Sequence, residues 1–420
     1  MALKKALSWG AAQTLTRMAL SFLSIKITAV YLGPAGLALV GQFGNFFTLA
    51  QGVAGSALNT GVMNLTAQDE PDRPRQAAVW RTAMHLSLLI GGAMAAVVAL
   101  LALPLADWLL KDPAYWPAIV LGALSIPMAM CGAVMTGAIN GLKRIGMLGV
   151  IGIVGALVGA LIFIPLCYGW GVRGGLTAYA LSTCCVLLVA LVVVARADGL
   201  ALGQFAPRWD GAVARQLAAF FPMLLVHAVA EPIAPLLMRN ALVVQLGATN
   251  AGFWQAGLRL SDMYTLVLTT AVTMYLMPHL ASIKDERAFG RELARTVLKV
   301  AGLTAAGALS VYLLRDLVIA VVFTREFLPV GGLLDFLFLG NVFKMAAWPL
   351  RMALVIKLRA KWYILVEIGV AALQIGLTYL WLPGMGVRGA TAAYAAAYGA
   401  ALLILLFSNK GYLYGSRPTH

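Results

Sequence analysis

Two long stretches without a charged residue constrain this chain more than any other feature of its sequence. Residues 145–172 and 174–195 contain no Asp, Glu, Lys or Arg. Each stretch exceeds the roughly 20 apolar residues that an α-helix needs to cross the hydrocarbon core of a bilayer. The sequence therefore predicts two membrane-spanning helices, one on either side of Arg173.

The rest of the chain follows the same pattern. Hydrophobic residues make up 61% of the sequence and charged residues 11%, which leaves too little polar surface to cover a water-soluble protein. The connectors are short, so no sizeable soluble domain is expected. We predict an all-α polytopic membrane protein with twelve transmembrane segments, at residues 7–32, 37–66, 80–105, 115–140, 146–168, 174–195, 217–244, 250–279, 293–322, 329–356, 362–383 and 387–408.

The distribution of Lys and Arg predicts the orientation. Cations that flank membrane helices are retained on the cytoplasmic side, and twenty of the flanking Lys and Arg share the side of the N-terminus, against five on the other. Both termini are therefore expected to be cytoplasmic. This topology, with attraction to membrane lipids, accounts for the net charge of +15 without a nucleic-acid partner. Arg17 interrupts the first apolar run, which favours a retained helix over a signal peptide.

The chain also repeats itself. Residues 171–180 read GVRGGLTAYA and residues 386–395 read GVRGATAAYA, identical at seven of ten positions. A weaker echo pairs residues 32–42 with residues 246–255, at the first turn of each half. Both halves hold six segments, so they enter the membrane from the same side and form a parallel repeat. The predicted parts are an N-lobe over residues 1–200, a cytoplasmic linker over 201–216 and a C-lobe over 217–420.

Ionisable side chains lie inside the predicted segments, where each costs about 2.5–3.5 kcal/mol on insertion scales. Six cations and four acids qualify as buried inside the bilayer, namely Arg17, Lys26, Arg239, Arg259, Lys344 and Arg351, and Glu231, Asp262, Asp335 and Glu367. By residue counting, the cations extend from the inner to the outer half of the membrane. A wet cavity lined by Arg and Lys would bind a diphosphate or carboxylate head group, so these cations are the predicted anion site.

Each cation also has a structural alternative, which is an ion pair within the bundle or extension of the side chain to the interface. Arg259 shares a helix face with Asp262, three residues away, and Arg351 lies near enough to the inner surface to reach it. Glu367 lies close to Lys361 and to the interface, which favours a structural role.

Other polar residues are candidates for sugar contacts and for energy coupling. Gln42, Asn45 and Asn59 interrupt the second segment, where they either contact sugars or form helix-packing hydrogen bonds. Asp262 and Glu231, with His227 one turn before Glu231, are candidates for a proton or Na⁺ site. Their alternatives are a structural salt bridge for Asp262, a partner at the Pro232 kink for Glu231 and an ordinary helix position for His227.

Several functions are not expected from this sequence. It contains no Walker-type GxxxxGK[ST] motif, so nucleotide hydrolysis by the chain itself is not predicted. The four cysteines all fall in predicted segments, which argues against a metal site or a disulfide framework. The connectors are too short to carry the catalytic loop of a membrane glycosyltransferase or polymerase. We predict no cofactor.

A set of short motifs resembles a known family across nearly the whole chain. The motifs are Leu32-Gly33-Pro34-Ala35-Gly36, Met238-Arg239, Ser261-Asp262, Tyr275-Leu276-Met277-Pro278, Phe323 to Phe327 (FTREF), Val342-Phe343-Lys344 and Tyr363-Ile364-Leu365-Val366-Glu367. Together and in this order they are similar to Wzx-type polysaccharide flippases of the multidrug/oligosaccharidyl-lipid/polysaccharide exporter superfamily. Within it, the similarity is strongest to lipid III flippases of enterobacterial common antigen synthesis and to O-antigen translocases.

The resemblance implies a transporter rather than an enzyme. Its substrate would be an undecaprenyl-diphosphate-linked oligosaccharide, moved from the inner to the outer leaflet of the bacterial plasma membrane. Two lobes around a V-shaped cavity would provide alternating access. Because no nucleotide-binding motif is present, we expect an ion gradient of protons or Na⁺ to supply the energy. A polysaccharide polymerase or chain-length regulator is a candidate partner. The alternative is a cation-coupled multidrug or small-molecule exporter of the same superfamily, against which the excess of buried cations argues.

The resemblance also bears on single residues. Arg239, Asp262 and Lys344 fall on positions that match the family pattern, and Lys26 matches a cation near the end of the first helix. Arg259 and Arg351 depart from that pattern.

Overall fold

The computed structural model describes residues 2–69, 72–271, 280, 283, 285–357 and 359–409, and nearly all of this part is helical. Its helices are α1 (Ala2–Gln68), α2 (Arg73–Leu100), α3 (Ala102–Leu110), α4 (Trp116–Gly141), α5 (Ile145–Ala195), α6 (Gly211–Ala218), α7 (Phe221–Leu246), α8 (Ala248–Ala271), α9 (Glu286–Leu313), α10 (Arg315–Val322), α11 (Leu334–Ile356), α12 (Ala360–Met385) and α13 (Val387–Ser408). Short 3₁₀ turns cover Pro113–Tyr115, Leu202–Phe205 and Arg325–Leu333.

The described helices confirm an all-α polytopic membrane protein. Eight helical stretches are long and apolar enough to cross a bilayer. Two of them, Met18–Gln68 and Ile145–Ala195, are 51 residues long, which is enough for two crossings at roughly 20 residues each. The twelve crossings themselves stay a prediction, because residues 272–279 of the eighth predicted segment lie outside the described part of the chain.

Two predicted segments are divided in the structure. The third segment breaks at Leu101 (φ −93°, ψ 14°), between α2 and α3. Pro104 explains this break, because it has no backbone N–H to donate to the carbonyl of Leu100 four residues earlier. The ninth segment breaks in the same way at Leu314 (φ −101°, ψ 15°), between α9 and α10.

The internal repeat corresponds to a repeated backbone conformation. Gly171 (φ 56°, ψ −133°) bends α5, and Gly386 (φ 58°, ψ −143°) separates α12 from α13. The weaker echo behaves alike, since Gly33 (φ 63°) bends α1 and Gly247 (φ 84°) separates α7 from α8. Residues with a Cβ rarely adopt such positive φ values. The two similar sequence pairs therefore specify the same positive-φ break between helices in each half.

A second glycine in the stronger repeat allows close packing after this reversal. A Cβ at Gly389 would lie 2.7 Å from the carbonyl oxygen of Trp381, and one at Gly174 would collide with that of Leu166. Both carbonyls belong to the helix before the bend, eight residues upstream. The shared glycines thus let consecutive helices touch backbone to backbone.

The chain divides into two compact units. The first comprises residues Met1–Leu32 and Leu39–Pro232, and the second comprises Gly33–Ala38 and Ile233–His420. The predicted linker belongs to the first unit, where the ring of Phe205 stacks on Trp80 with centroids 5.1 Å apart. The predicted N-lobe and C-lobe are defined by the internal sequence repeat, whereas the two units are defined by compact packing. The boundaries of the lobes therefore stay a prediction.

Within the second unit, α11 packs against α8, α9 and α13. Its C-terminal half contributes Ala347, Leu350 and Leu354 to a buried apolar cluster with Phe289 of α9. Gly340 lies under the ring of Tyr394, where any side chain would collide with that ring. This close crossing of α11 and α13 brings the polar groups of both helices together.

Candidate functional site

Four of the six predicted cations lie in the second unit, on α7, α8 and α11. They are Arg239, Arg259, Lys344 and Arg351. Lys26 is a half-buried residue of α1 in the first unit, and the side chain of Arg17 lies outside the described part of the structure. The second unit therefore holds the part of the predicted anion site whose geometry is described.

Arg239 is enclosed between α7 and α8. Its side chain is 1% exposed, its Nη2 donates a hydrogen bond to Gln255 Oε1, and its guanidinium lies 5.5 Å from the centre of the Trp254 ring. Both of these contacts are to neutral groups, so these two contacts orient the guanidinium and bring no opposite charge to it. Arg259, one turn after Gln255 on α8, is near enough to repel Arg239 electrostatically.

Arg351 is paired with an acid. Its Nη1 lies 2.8 Å from Glu367 Oε1, and the two side chains are 11% and 9% exposed. The guanidinium also lies 5.2 Å from the Trp348 ring. Glu367 was expected near Lys361, but the packing of α11 beside α12 gives it Arg351 as its partner. The predicted diphosphate-binding role of Arg351 stays a prediction, and its charge is locally compensated.

Lys344 lies one turn before Trp348 on α11, among aromatic hydroxyls. It is half-buried, and its ammonium lies 5.6 Å from the centre of the Tyr398 ring. Tyr398 in turn packs edge-on against Tyr394, with centroids 4.8 Å apart. Lys344 thus carries a positive charge at the junction of α11 and α13.

A hydrogen-bonded network beside Lys344 joins three helices. Tyr394 of α13 donates to Asn341 Oδ1 at 2.9 Å, and Asn341 Nδ2 donates to the Tyr264 hydroxyl of α8 at 2.7 Å. The charges of Lys344 and Asp262 both act on the hydroxyls of Tyr264 and Tyr394. The network therefore consists of neutral hydrogen-bonding groups that lie within the electrostatic influence of one cation and one acid.

Sequence analysis missed this network, although two signals pointed to it. Tyr394 occupies a position of the internal repeat that is also Tyr in the first half, at Tyr179. Asn341 is an isolated amide in an apolar stretch of α11. The partner of each group depends on how α8, α11 and α13 cross, which no local pattern specifies.

The candidate coupling residues are described in part. Asp262 is exposed, and the side chains of Glu231 and His227 on α7 lie outside the described part of the structure.

Asp335 at the start of α11 pairs with Arg388 of α13, with 3.0 Å between Oδ2 and Nη2. Among the described residues, no cluster of three or more His, Cys, Asp or Glu side chains is arranged to hold a metal ion.

The sugar-contact candidates lie in the first unit, on the second half of α1. Asn59 Nδ2 donates to the Ala133 carbonyl at 2.8 Å and to Thr136 Oγ1 at 3.1 Å, both on α4. This amide therefore stabilises helix packing. Gln42 is buried and Asn45 is half-buried. Sugar contacts by these residues stay a prediction.

Comparison with known proteins identifies relatives over the whole chain. The family model described as "Polysaccharide biosynthesis protein" matches residues 43–331. The lipid III flippases of Escherichia coli (strain K12) and Shigella flexneri are each 30% identical to this chain over 400 residues, covering 95% of this chain and 96% of theirs.

Solved structures share the fold. An inward-facing multidrug resistance MATE family transporter of the MOP superfamily matches with a TM-score of 0.78 and 15% identity, covering 96% of this chain and 100% of that one. The lipid II flippase MurJ in an inward closed conformation matches with a TM-score of 0.75 and 13% identity, covering 96% of this chain and 87% of that one. With the fold of MOP-superfamily transporters and these full-length relatives, this chain belongs to the polysaccharide biosynthesis protein family that includes the lipid III flippases.

Proposed function

We propose that this protein is a flippase for lipid-linked oligosaccharides. Its substrate would be an undecaprenyl-diphosphate-linked oligosaccharide, moved from the inner to the outer leaflet of the bacterial plasma membrane for cell-surface polysaccharide synthesis. The observation that carries the proposal is Lys344, a half-buried cation among hydrogen-bond donors, in a chain whose full-length relatives are named lipid III flippases.

The energetics of a buried cation support an anionic substrate. Keeping a charge inside a membrane helix costs about 2.5–3.5 kcal/mol on insertion scales, and a bound diphosphate would offset part of that cost. Lys344 and Arg259 are half-buried and are the proposed direct ligands in the second unit. The enclosed Arg239 contributes positive potential from behind Trp254 and Gln255. Arg17 and Lys26 remain proposed ligands on the first helix.

Transport follows from where each part of the substrate is stable. The polyprenyl tail stays in lipid, because it is as apolar as the surrounding acyl chains. The diphosphate and sugars cross through the protein by alternating access, and substrate binding favours the conformations that contact the head group. A proton or Na⁺ gradient acting through Asp262, Glu231 and His227 is the proposed source of energy. Contact with a polysaccharide polymerase or chain-length regulator belongs to the same proposal.

The proposed membrane arrangement is a multi-pass inner-membrane protein with both termini in the cytoplasm. A multidrug exporter of the same superfamily would share the fold, which the MATE structures match at 15% identity. The cations near the Tyr264–Asn341–Tyr394 network favour an anionic substrate over a cationic drug.

The test is flipping of a fluorescent undecaprenyl-diphosphate oligosaccharide in proteoliposomes. Wild-type protein should flip it, and Lys344→Gln should reduce the rate by about tenfold or more, as expected for loss of a charged hydrogen bond. Lys361→Gln is the matched control, because it removes the same charge at an exposed position at the start of α12. Absence of flipping by folded wild-type protein would refute the proposal. If Lys344→Gln flips the substrate as fast as the control Lys361→Gln, the role of Lys344 is refuted.

A further inference from the structure

The hydroxyl group of Tyr264 has its hydrogen-bonding role set by its neighbours. Tyr394 donates to Asn341 Oδ1 at 2.9 Å, and Asn341 Nδ2 donates to Tyr264 Oη at 2.7 Å. A carboxamide accepts at its oxygen and donates at its nitrogen, so the Tyr264 hydroxyl is the acceptor in the bond that Asn341 Nδ2 makes. With Asn341 in this orientation, Tyr264 directs its own proton elsewhere. Within the described part of the chain, that proton has no acceptor.

The two residues that connect to this hydroxyl, Asn341 and Tyr394, are fixed in place by burial and close packing. Asn341 is 1% exposed and Tyr394 is buried, and the Tyr394 ring lies directly over Gly340. The Tyr264 ring packs edge-on against Phe338, with centroids 5.7 Å apart. Buried polar networks whose members satisfy one another are rigid, so Tyr264 presents a pre-oriented donor.

The donor lies beside a cation. Lys344 follows Asn341 by three residues on α11, which places both on one helix face, and its charge acts on the Tyr264 hydroxyl. Asp262 is the opposing charge that acts on the same hydroxyl. A neutral donor and an ammonium that both reach one anionic oxygen would bind it well, because hydrogen bonds to charged acceptors are roughly twice as strong as neutral ones.

We propose that Tyr264 is a specificity-determining residue of the substrate site, whose hydroxyl donates to an anionic oxygen that Lys344 also binds. This inference rests on the proposed flippase function and adds a residue and a ligand chemistry to it. The oxygen belongs either to a phosphate of the lipid carrier or to the carboxylate of an acidic sugar. In both cases Asn341 and Tyr394 are positioning residues that act through Tyr264.

The experiment measures flipping rate against substrate concentration for wild type and Tyr264→Phe in proteoliposomes, with two substrates. One is an undecaprenyl-diphosphate oligosaccharide of neutral sugars, and the other carries a uronic acid in the same oligosaccharide. Tyr264→Phe keeps the ring against Phe338 and removes only the hydroxyl. The control is Tyr379→Phe, which removes a phenol hydroxyl from an exposed position of α12.

The two substrates distinguish the two sources of the oxygen. An increase in KM of about 10- to 100-fold with both substrates assigns the oxygen to the diphosphate. The same increase with the uronic acid substrate alone assigns it to the sugar carboxylate. A KM within twofold of wild type for both substrates would overturn the inference, while flipping by wild type would leave the proposed function standing.

A double-mutant cycle tests the positioning role. Tyr394→Phe removes the hydroxyl that holds Asn341, so its amide can turn. In the wild-type background KM should therefore rise several-fold, the size of effect typical of coupled hydrogen bonds. In the Tyr264→Phe background the same change should leave KM unaltered, because no hydroxyl remains to be oriented. Additive effects would mean that Tyr394 supports the fold alone and would refute its action through Tyr264. If folded wild type neither flips nor binds undecaprenyl diphosphate, both the function and this inference fail.

Discussion

Lys344 and Arg351 lie seven residues apart on the same helix, yet their surroundings differ. Lys344 lies over the ring of Tyr398, whereas Arg351 forms a short ion pair with Glu367. A compensated pair attracts an anion weakly, because the acid cancels most of the field of the cation at a distance. We therefore expect Arg351 to contribute less to anion binding than its place among the predicted buried cations suggests.

The Arg351–Glu367 pair gives a prediction about stability. Glu367→Gln should lower the free energy of unfolding by about 3–5 kcal/mol, because it leaves Arg351 buried without a counter-charge. Replacing both residues, as Arg351→Met with Glu367→Met, should restore most of that loss, since a buried pair is often no better than apolar residues of similar size. Thermal unfolding in detergent measures both effects.

Flipping by the double variant tests the role of Arg351 in binding. The structure leads us to expect a rate close to wild type, because the ion pair compensates the charge of Arg351. If the double variant is folded but inactive, Arg351 binds substrate as the sequence predicted and the compensation argument is wrong.

Gln255 offers a test of the charge of Arg239. Gln255→Glu would place a carboxylate where the amide now accepts from Arg239, so the pair would become neutral with little change in shape. Thermal stability should be kept, and the flipping rate should fall by about tenfold, since the positive potential at the site is cancelled. A stable variant with an unchanged rate would show that Arg239 is structural, with Gln255→Leu as the control for loss of the amide alone.

At the scale of helices, the repeated GVRG motif forms the same connection between two consecutive helices in each half. Gly171 and Gly386 turn the chain, and Gly174 and Gly389 let the next helix pack on the carbonyls of the previous one. The motif is therefore explained by backbone geometry in both halves. Backbone geometry does not explain the Arg of the motif. In the second half this residue, Arg388, forms an ion pair with Asp335.

This geometry predicts a clear contrast between glycines. Gly389→Ala should lower the free energy of unfolding by about 1–3 kcal/mol, the usual cost of overpacking, because its Cβ would lie 2.7 Å from the Trp381 carbonyl. Gly376→Ala on α12 is the matched control, since a Cβ there meets no atom within 4 Å, and it should be neutral or stabilising by about 0.5–1 kcal/mol. Thermal unfolding in detergent distinguishes them, and equal effects would contradict the close-contact explanation.

The sequence predicts the helices and turns of this protein better than the partners of its buried polar side chains. Uncharged stretches predict helices because the bilayer requires them, and the glycine repeats predict matching turns because few other residues adopt positive φ. The partner of Glu367 could not be predicted, because Arg351 lies 16 residues away across the connection between α11 and α12. The Tyr264–Asn341–Tyr394 network likewise depends on three helix crossings, which hydropathy does not specify.

At the scale of the whole molecule, orientation in the membrane connects the structure to the direction of transport. Twenty flanking cations on one side against five on the other predict cytoplasmic termini. The first unit contains a described marker near each end of α2. Arg208 donates its backbone N–H to the carbonyl of Arg81 near the start of α2, and Lys111 follows α3, beyond the end of α2.

Labelling of these two positions tests the orientation. Arg208→Cys and Lys111→Cys would be made in a variant whose four natural cysteines are replaced, and both positions are exposed. In intact inner-membrane spheroplasts, a membrane-impermeant maleimide should label Lys111→Cys alone, and permeabilisation should add Arg208→Cys. The reverse pattern would place the termini outside. It would also reverse the proposed direction of flipping, because the cation-rich side would then face the leaflet that receives the substrate.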